Sequence, residues 1–180
     1  MNAERIQAWI DELHGTSGQQ WMLRLVVVLA PLGALAAVTA EVGRWWPFGG
    51  VLMGALAIAA AFRPDSHTAL LIIAVVVCHV LATVEQVDSP WVVVVACCLL
   101  LHHSAVALTA SFPVGGVVPT ATLLRWAQRT GVAGGLTIGM WGLVIVMERR
   151  DAAGNGLLTA LAVAIVAASA VVIRSRSLNG

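Results

Sequence analysis

Long apolar runs broken by short polar joints dominate the chain from residue 21 onward. Six such segments lie near Trp21–Ala40, Trp46–Phe62, Thr68–Val87, Trp91–Ser111, Thr130–Met147 and Leu157–Ile173. A helix needs ~20 mostly apolar residues to cross a bilayer, and only helices or closed barrels satisfy their backbone there. The pattern therefore predicts an all-α integral membrane helical bundle of six transmembrane helices. The second segment sits near the minimum length for spanning. Trp21, Trp45, Trp46, Trp91 and Trp126 stand at segment ends, where interfacial aromatics belong.

Before the first run, Asn2–His14 has a different period. Ile6, Trp9, Ile10 and Leu13 recur at i, i+3, i+4 and i+7, one face of a helix, opposite Arg5, Gln7, Asp11 and Glu12. This predicts an amphipathic N-terminal helix that lies at the interface or docks on a partner. The expected organisation is a cytoplasmic N-terminal helix over 1–20, a six-span domain over 21–174 with a cytoplasmic loop at 112–129, and a tail over 175–180.

Within the spans, the hairpin Ser66–Ser111 carries the polar groups. Counting at ~1.5 Å per residue sets His79 and the pair His102–His103 at one height near the midplane. Imidazoles at that depth are expensive to leave facing lipid, so the hairpin is expected at the centre of the bundle. His79, Thr83 and Gln86 share a face of the third segment; Cys98, His102 and Thr109 share a face of the fourth, with His103 turned about 100° away. If the two faces meet, they form a hydrogen-bonded polar seam. In the fifth segment Gly131, Gly135 and Gly139 repeat at four, and the sixth answers with Gly156, Ala160, Ala164 and Ala168. Small residues at this spacing let membrane helices approach closely, so the last two spans are expected to pair.

Composition and charge narrow the class. The 180 residues are 59% hydrophobic and 11% charged, which excludes a disordered chain and an ordinary soluble domain. The net charge of +1 offers no case for nucleic acid. All 10 basic residues are Arg. With the N-terminus inside, the inner side holds Arg5, Arg24, Arg63, Arg125, Arg129, Arg174 and Arg176, and the outer side Arg44, Arg149 and Arg150. The positive-inside rule then sets both termini in the cytoplasm of a bacterial plasma membrane. Cys78, Cys97 and Cys98 all fall inside apolar runs rather than in polar loops, so they read as small buried residues and not a disulfide framework.

Candidate chemistry is sparse. There is no serine elbow, zincin helix, paired-cysteine zinc motif or phosphate loop, so no catalytic residue and no metal site are assigned and no cofactor is required. Three functional uses of the histidines stand beside a structural one: a proton or substrate path through His79 and His102, a b-type haem held by His79 with His102 or His103, and a soft metal held by cysteine and histidine. Arg125 and Arg129 project together one turn apart, as a headgroup anchor or a dock for an acidic partner. The stretch Leu100, Leu101 and His102, then Phe112 and Pro113, then Leu123, Leu124, Arg125, Trp126 and Arg129, resembles the small polytopic actinobacterial membrane proteins encoded beside MoxR-type AAA+ ATPases. That resemblance spans about Val92–Trp141 and implies an accessory subunit of a membrane assembly, with a membrane-protein partner or self-association. It carries over no catalytic residue.

Overall fold

The structure is a computed structural model and describes residues 15–64, 66–86, 88–113 and 115–148. Among them the regular structure is five helices: α1 (Gly18–Val42), α2 (Pro47–Phe62), α3 (Thr68–Thr83), α4 (Pro90–Ala110) and α5 (Thr120–Glu148). The chain divides into two compact units, Met1–Ile138 and Gly139–Gly180. The all-helical expectation holds for the described residues. Three helices, α1, α4 and α5 up to Val146, are long and apolar enough to cross a membrane.

The count of six spans goes further than the helices do. α2 and α3 have 16 residues each, a rise of about 24 Å against a hydrocarbon core of about 30 Å. The third segment was expected to continue to Val87, but α3 stops at Thr83 and Val84 is extended. The Thr83 hydroxyl donates back to the His79 carbonyl at 2.7 Å, a local bond that competes with the helix ladder, and the polar residues Glu85 and Gln86 follow. The sixth segment, with Gly156, Ala160, Ala164 and Ala168, lies outside the described residues, as do Ile6, Trp9, Ile10 and Leu13 of the N-terminal helix. The connection over 112–129 is irregular only in its first half, to Pro119, where its prolines and glycines fall, as their positions imply. From Thr120 the chain is one 29-residue helix running into the fifth segment.

The hub is α1, and this corrects the expectation of a central α3–α4 hairpin. α1 packs along α4 for most of its length and also touches α2 and α3, whereas α3 and α4 meet only briefly. Composition explains the choice. The buried positions of α1 run Gln20, Leu23, Arg24, Val27, Ala30, Pro31, Ala34, Leu35, Ala37 and Val38. They recur every three or four residues, so one stripe of mostly small or branched side chains stays in register with its neighbours. The apolar core joins that stripe to Met53, Ala57, Ala60 and Ala61 of α2, Ile72 and Val76 of α3, and Val95, Ala105 and Val106 of α4. Alanines facing each other let the backbones come close, and dispersion with interhelical hydrogen bonds then holds them.

The ends of α1 are fixed by its own sequence. Ser17 caps the start, accepting from the Gln20 amide at 3.3 Å. Gly43 closes the other end at φ 69°, a left-handed turn glycine adopts without penalty. At this second end Glu41 accepts a hydrogen bond from the buried hydroxyl of Ser89, which caps α4. At the first end Ser17 donates to the Gly116 carbonyl at 3.1 Å and the Gln19 side chain accepts from the Val118 amide at 2.9 Å. Those two bonds tie the 115–118 turn to α1.

Midway along this pair, a Cβ built on Gly33 of α1 would meet the Cys98 sulfur of α4 at 3.4 Å. In a disulfide each Cβ lies about 3 Å from the partner sulfur, close to this spacing. With Cys78 and Cys97 changed to serine, Gly33→Cys is expected to form an intramolecular disulfide with Cys98 on mild oxidation. Loss of free thiol measured by mass spectrometry reads it, and persistent alkylation of both thiols would contradict the packing described.

Candidate functional site: buried polar groups along α1

Proline at position 31 creates the first polar requirement. Within an α-helix the amide of residue 31 would bond the carbonyl of residue 27, but proline has no N–H and its ring crowds that carbonyl. The Val27 oxygen is therefore left without its helical donor in the middle of an apolar core. α4 supplies one: His102 Nδ1 lies 2.9 Å from the Val27 oxygen, and His102 is 0% exposed. Since a carbonyl only accepts, Nδ1 is the donor. Membrane helices tolerate internal proline when a neighbour repairs the freed group in this way. The other ring nitrogen, Nε2, is buried with no hydrogen-bond partner among the described residues.

The remaining residues of the expected seam go elsewhere. The His79 ring stacks on Trp46, centroids 4.5 Å apart and planes at 29°. That stack depends on Gly49: a Cβ there would sit 1.9 Å from the Trp46 ring, so only glycine leaves room for the indole. Thr83 bonds its own helix, and so does Thr109, to the Ala105 carbonyl at 2.8 Å. Gln86 and His103 are exposed, and Cys98 is half-buried against Gly33. Among the described residues no side-chain hydrogen bond joins α3 to α4, so the two polar faces do not combine into a single seam. The physical reason is that His102 is claimed by the Val27 carbonyl on the opposite neighbour.

This disposition bears on the chemistry weighed for the histidines. His79 and His102 are committed to different neighbours, so the arrangement does not present them as a facing pair of axial haem ligands. Cys78 is exposed, and among the described residues no group of three His, Cys, Asp or Glu side chains converges to hold a metal.

A second polar cluster lies at the first end of α1 and was not anticipated as a site. Gln20 and Arg24 are 1% and 5% exposed, one turn apart on α1. The Arg24 guanidinium lies 5.7 Å from the ring centres of both Trp21 and Phe62, within cation–π range. Among the described residues its Nε and the Gln20 Nε2 are buried without hydrogen-bond partners. Both residues line a cavity of about 610 Å³ closed by the ends of α2 and α4, with Arg63 and Pro64 on one side and Ser111, Phe112 and Pro113 on the other. The signal in the sequence was an arginine inside the first apolar run, four residues after a glutamine.

Arg125 and Arg129 are exposed on α5, and both line a cleft of about 470 Å³ against α4. Arg125 Nε donates to its own helix, at the Ala121 carbonyl. The start of α5 is pinned to α4 by Trp126, whose indole N–H donates to the Ser104 carbonyl at 3.1 Å. Leu123 and Trp126 add a small apolar cluster with Leu23, Leu108, Phe112 and Val118. Gly131, Gly135 and Gly139 face open space, with no heavy atom of the described residues within 4 Å of a Cβ built at any of them.

Among the described residues the fold is thus all-helical, with three helices long and apolar enough to cross a membrane. Comparison with family models, with curated proteins and with solved structures finds no match for the chain.

Replacing His102 with leucine removes the donor and orphans the Val27 carbonyl, a loss of about 1–3 kcal/mol. His103→Leu, at an exposed position, is expected to stay within about 0.5 kcal/mol of the parent. Unfolding midpoints in one detergent compare the two. Equal effects would show that the buried hydrogen bond contributes nothing special.

Proposed function

We propose that this chain is a non-enzymatic accessory subunit of a larger bacterial membrane complex, and that α5 is the helix it offers to a membrane-protein partner. The observation that carries the reading is the state of α5. It is apolar enough to span over Thr120–Val146, yet among the described residues none of that stretch is buried. An apolar helix with an open small-residue face is the surface another membrane helix packs against. The exposed pair Arg125 and Arg129 at its start adds a point for bidentate contact with an acidic partner. The resemblance to proteins encoded beside MoxR-type ATPases carries the same implication.

The finer topology belongs to this proposal: six spans, the amphipathic N-terminal helix on the cytoplasmic face, and both termini in the cytoplasm. The described arginines support the orientation. Arg24, Arg63, Arg125 and Arg129 cluster at the end of the helices where α1 and α5 begin, and only Arg44 sits at the other. The short helices α2 and α3 reach across by local thinning or by their flanking residues. The transport alternative draws no support from the His102 contact, since that ring is enclosed and bonded to a backbone carbonyl.

Gly135→Leu fills the open face without touching the core. Co-purification of the partner from mild detergent, or of a second copy carrying another tag, is expected to fall about tenfold or more, the equivalent of 1.4 kcal/mol. The unfolding midpoint of the isolated chain is expected to be unchanged. A chain that purifies alone, with no partner or second copy in either form, would refute the proposal.

A further inference from the structure

The cavity at the first end of α1 has a composition that selects its ligand. The hydroxyls in its wall are already used: Ser66 donates to the Arg63 carbonyl, Thr109 to Ala105 and Ser111 to Ala107. The donors left over are those of Arg24, Gln20 Nε2 and Arg63. A wall with spare donors, two of them cationic groups, takes an acceptor that carries negative charge. Trp21 and Phe62 flank the Arg24 guanidinium. Neither ring supplies a hydrogen-bond acceptor, so the guanidinium N–H groups stay available to one.

Depth makes the need for an anion acute. Arg24 is about 9 Å along α1 from Gly18. α1 is about 37 Å long against about 30 Å of hydrocarbon, so Arg24 lies just inside the apolar boundary when the helix is centred. A buried cation at that level is retained with a counter-charge, and among the described residues no carboxylate pairs with it. Asp65, the one acid beside the cavity in sequence, lies outside the described residues. On the arginine count this end faces the cytoplasm, where the leaflet is rich in anionic headgroups.

We infer that the Gln20–Arg24–Arg63 cavity is a binding site for a phosphate group, held by the Arg24 guanidinium with Gln20 and Arg63 as further donors, and supplied by an acidic phospholipid. The site is independent of the accessory-subunit reading, since it lies on α1, α2 and α4 and not on the open face of α5. Phe62, Phe112 and the flanking prolines give the glycerol end of a lipid apolar wall to lie on.

Delipidated full-length protein in mild detergent tests it, with phosphatidylglycerol, phosphatidylcholine and inorganic phosphate as separate probes. Phosphatidylglycerol is expected to bind by native mass spectrometry and to raise the unfolding midpoint, with phosphatidylcholine far weaker. Arg24→Gln is expected to weaken phosphatidylglycerol roughly ten- to hundredfold, the loss of one charge-assisted contact. Arg63→Gln, at an exposed position and so safe for folding, should weaken it severalfold, as should the near-isosteric Gln20→Leu; Arg44→Gln, exposed at the opposite helix end, should leave it unchanged. Inorganic phosphate that displaces the lipid would assign the same site to a soluble phosphate ligand instead of a headgroup. Wild-type binding in Arg63→Gln and Gln20→Leu, or no binding of either anion to the parent, would overturn the inference.

Discussion

The hydrogen bond from His102 to the Val27 carbonyl is the constraint around which the helices are set. Pro31 strips that carbonyl of its helical donor in the centre of the longest interface, and the bilayer offers no water to replace it. One side chain of α4 closes the gap. To do so it must face α1, and that choice decides which face of α4 is buried. Ala105, Val106 and Thr109 follow His102 inward, while His103 is left outside. A polar requirement of one residue thus selects the rotation of a 21-residue helix.

Further polar contacts tie α1 in place at its two ends. Ser89 at the start of α4 reaches Glu41, and Ser17 and Gln19 hold the turn before α5 at Gly116 and Val118. Between these points the buried side chains are mostly alanine and valine. Small residues bring the backbones together but are poor at choosing one register over another, because many sliding positions fill space equally well. The buried polar bonds choose it. This division, apolar packing for cohesion and scarce polar groups for register, is well suited to a protein with so few charged residues.

Much of this fold was legible from the hydrophobic pattern alone. The boundaries of α1, α2 and α4 fall within a few residues of the apolar runs, since a span is marked by a long, uninterrupted signal. The neighbour relations were not legible. His79 and His102 sit at similar depth, and depth was read as proximity; but helices at equal depth can turn to any neighbour. The missing clue was Pro31. A proline inside a span announces a carbonyl four residues earlier that needs a donor, and a buried histidine at matching depth is a natural supplier. The same reasoning would have drawn attention to Arg24, a cation inside an apolar run with no acid near it in the same helix. The expected packing of the α5 glycines on the sixth segment lies outside the described residues; among these, a small-residue interface is formed by α1.

The most direct test is a double-mutant cycle on Pro31 and His102. In the Pro31→Ala background the residue-31 amide can bond the Val27 carbonyl, so His102→Leu should cost less there than in the parent, by about 1 kcal/mol or more in unfolding free energy. Equal costs in the two backgrounds would mean that the histidine does not answer the proline, and the account of how α4 is oriented would fail.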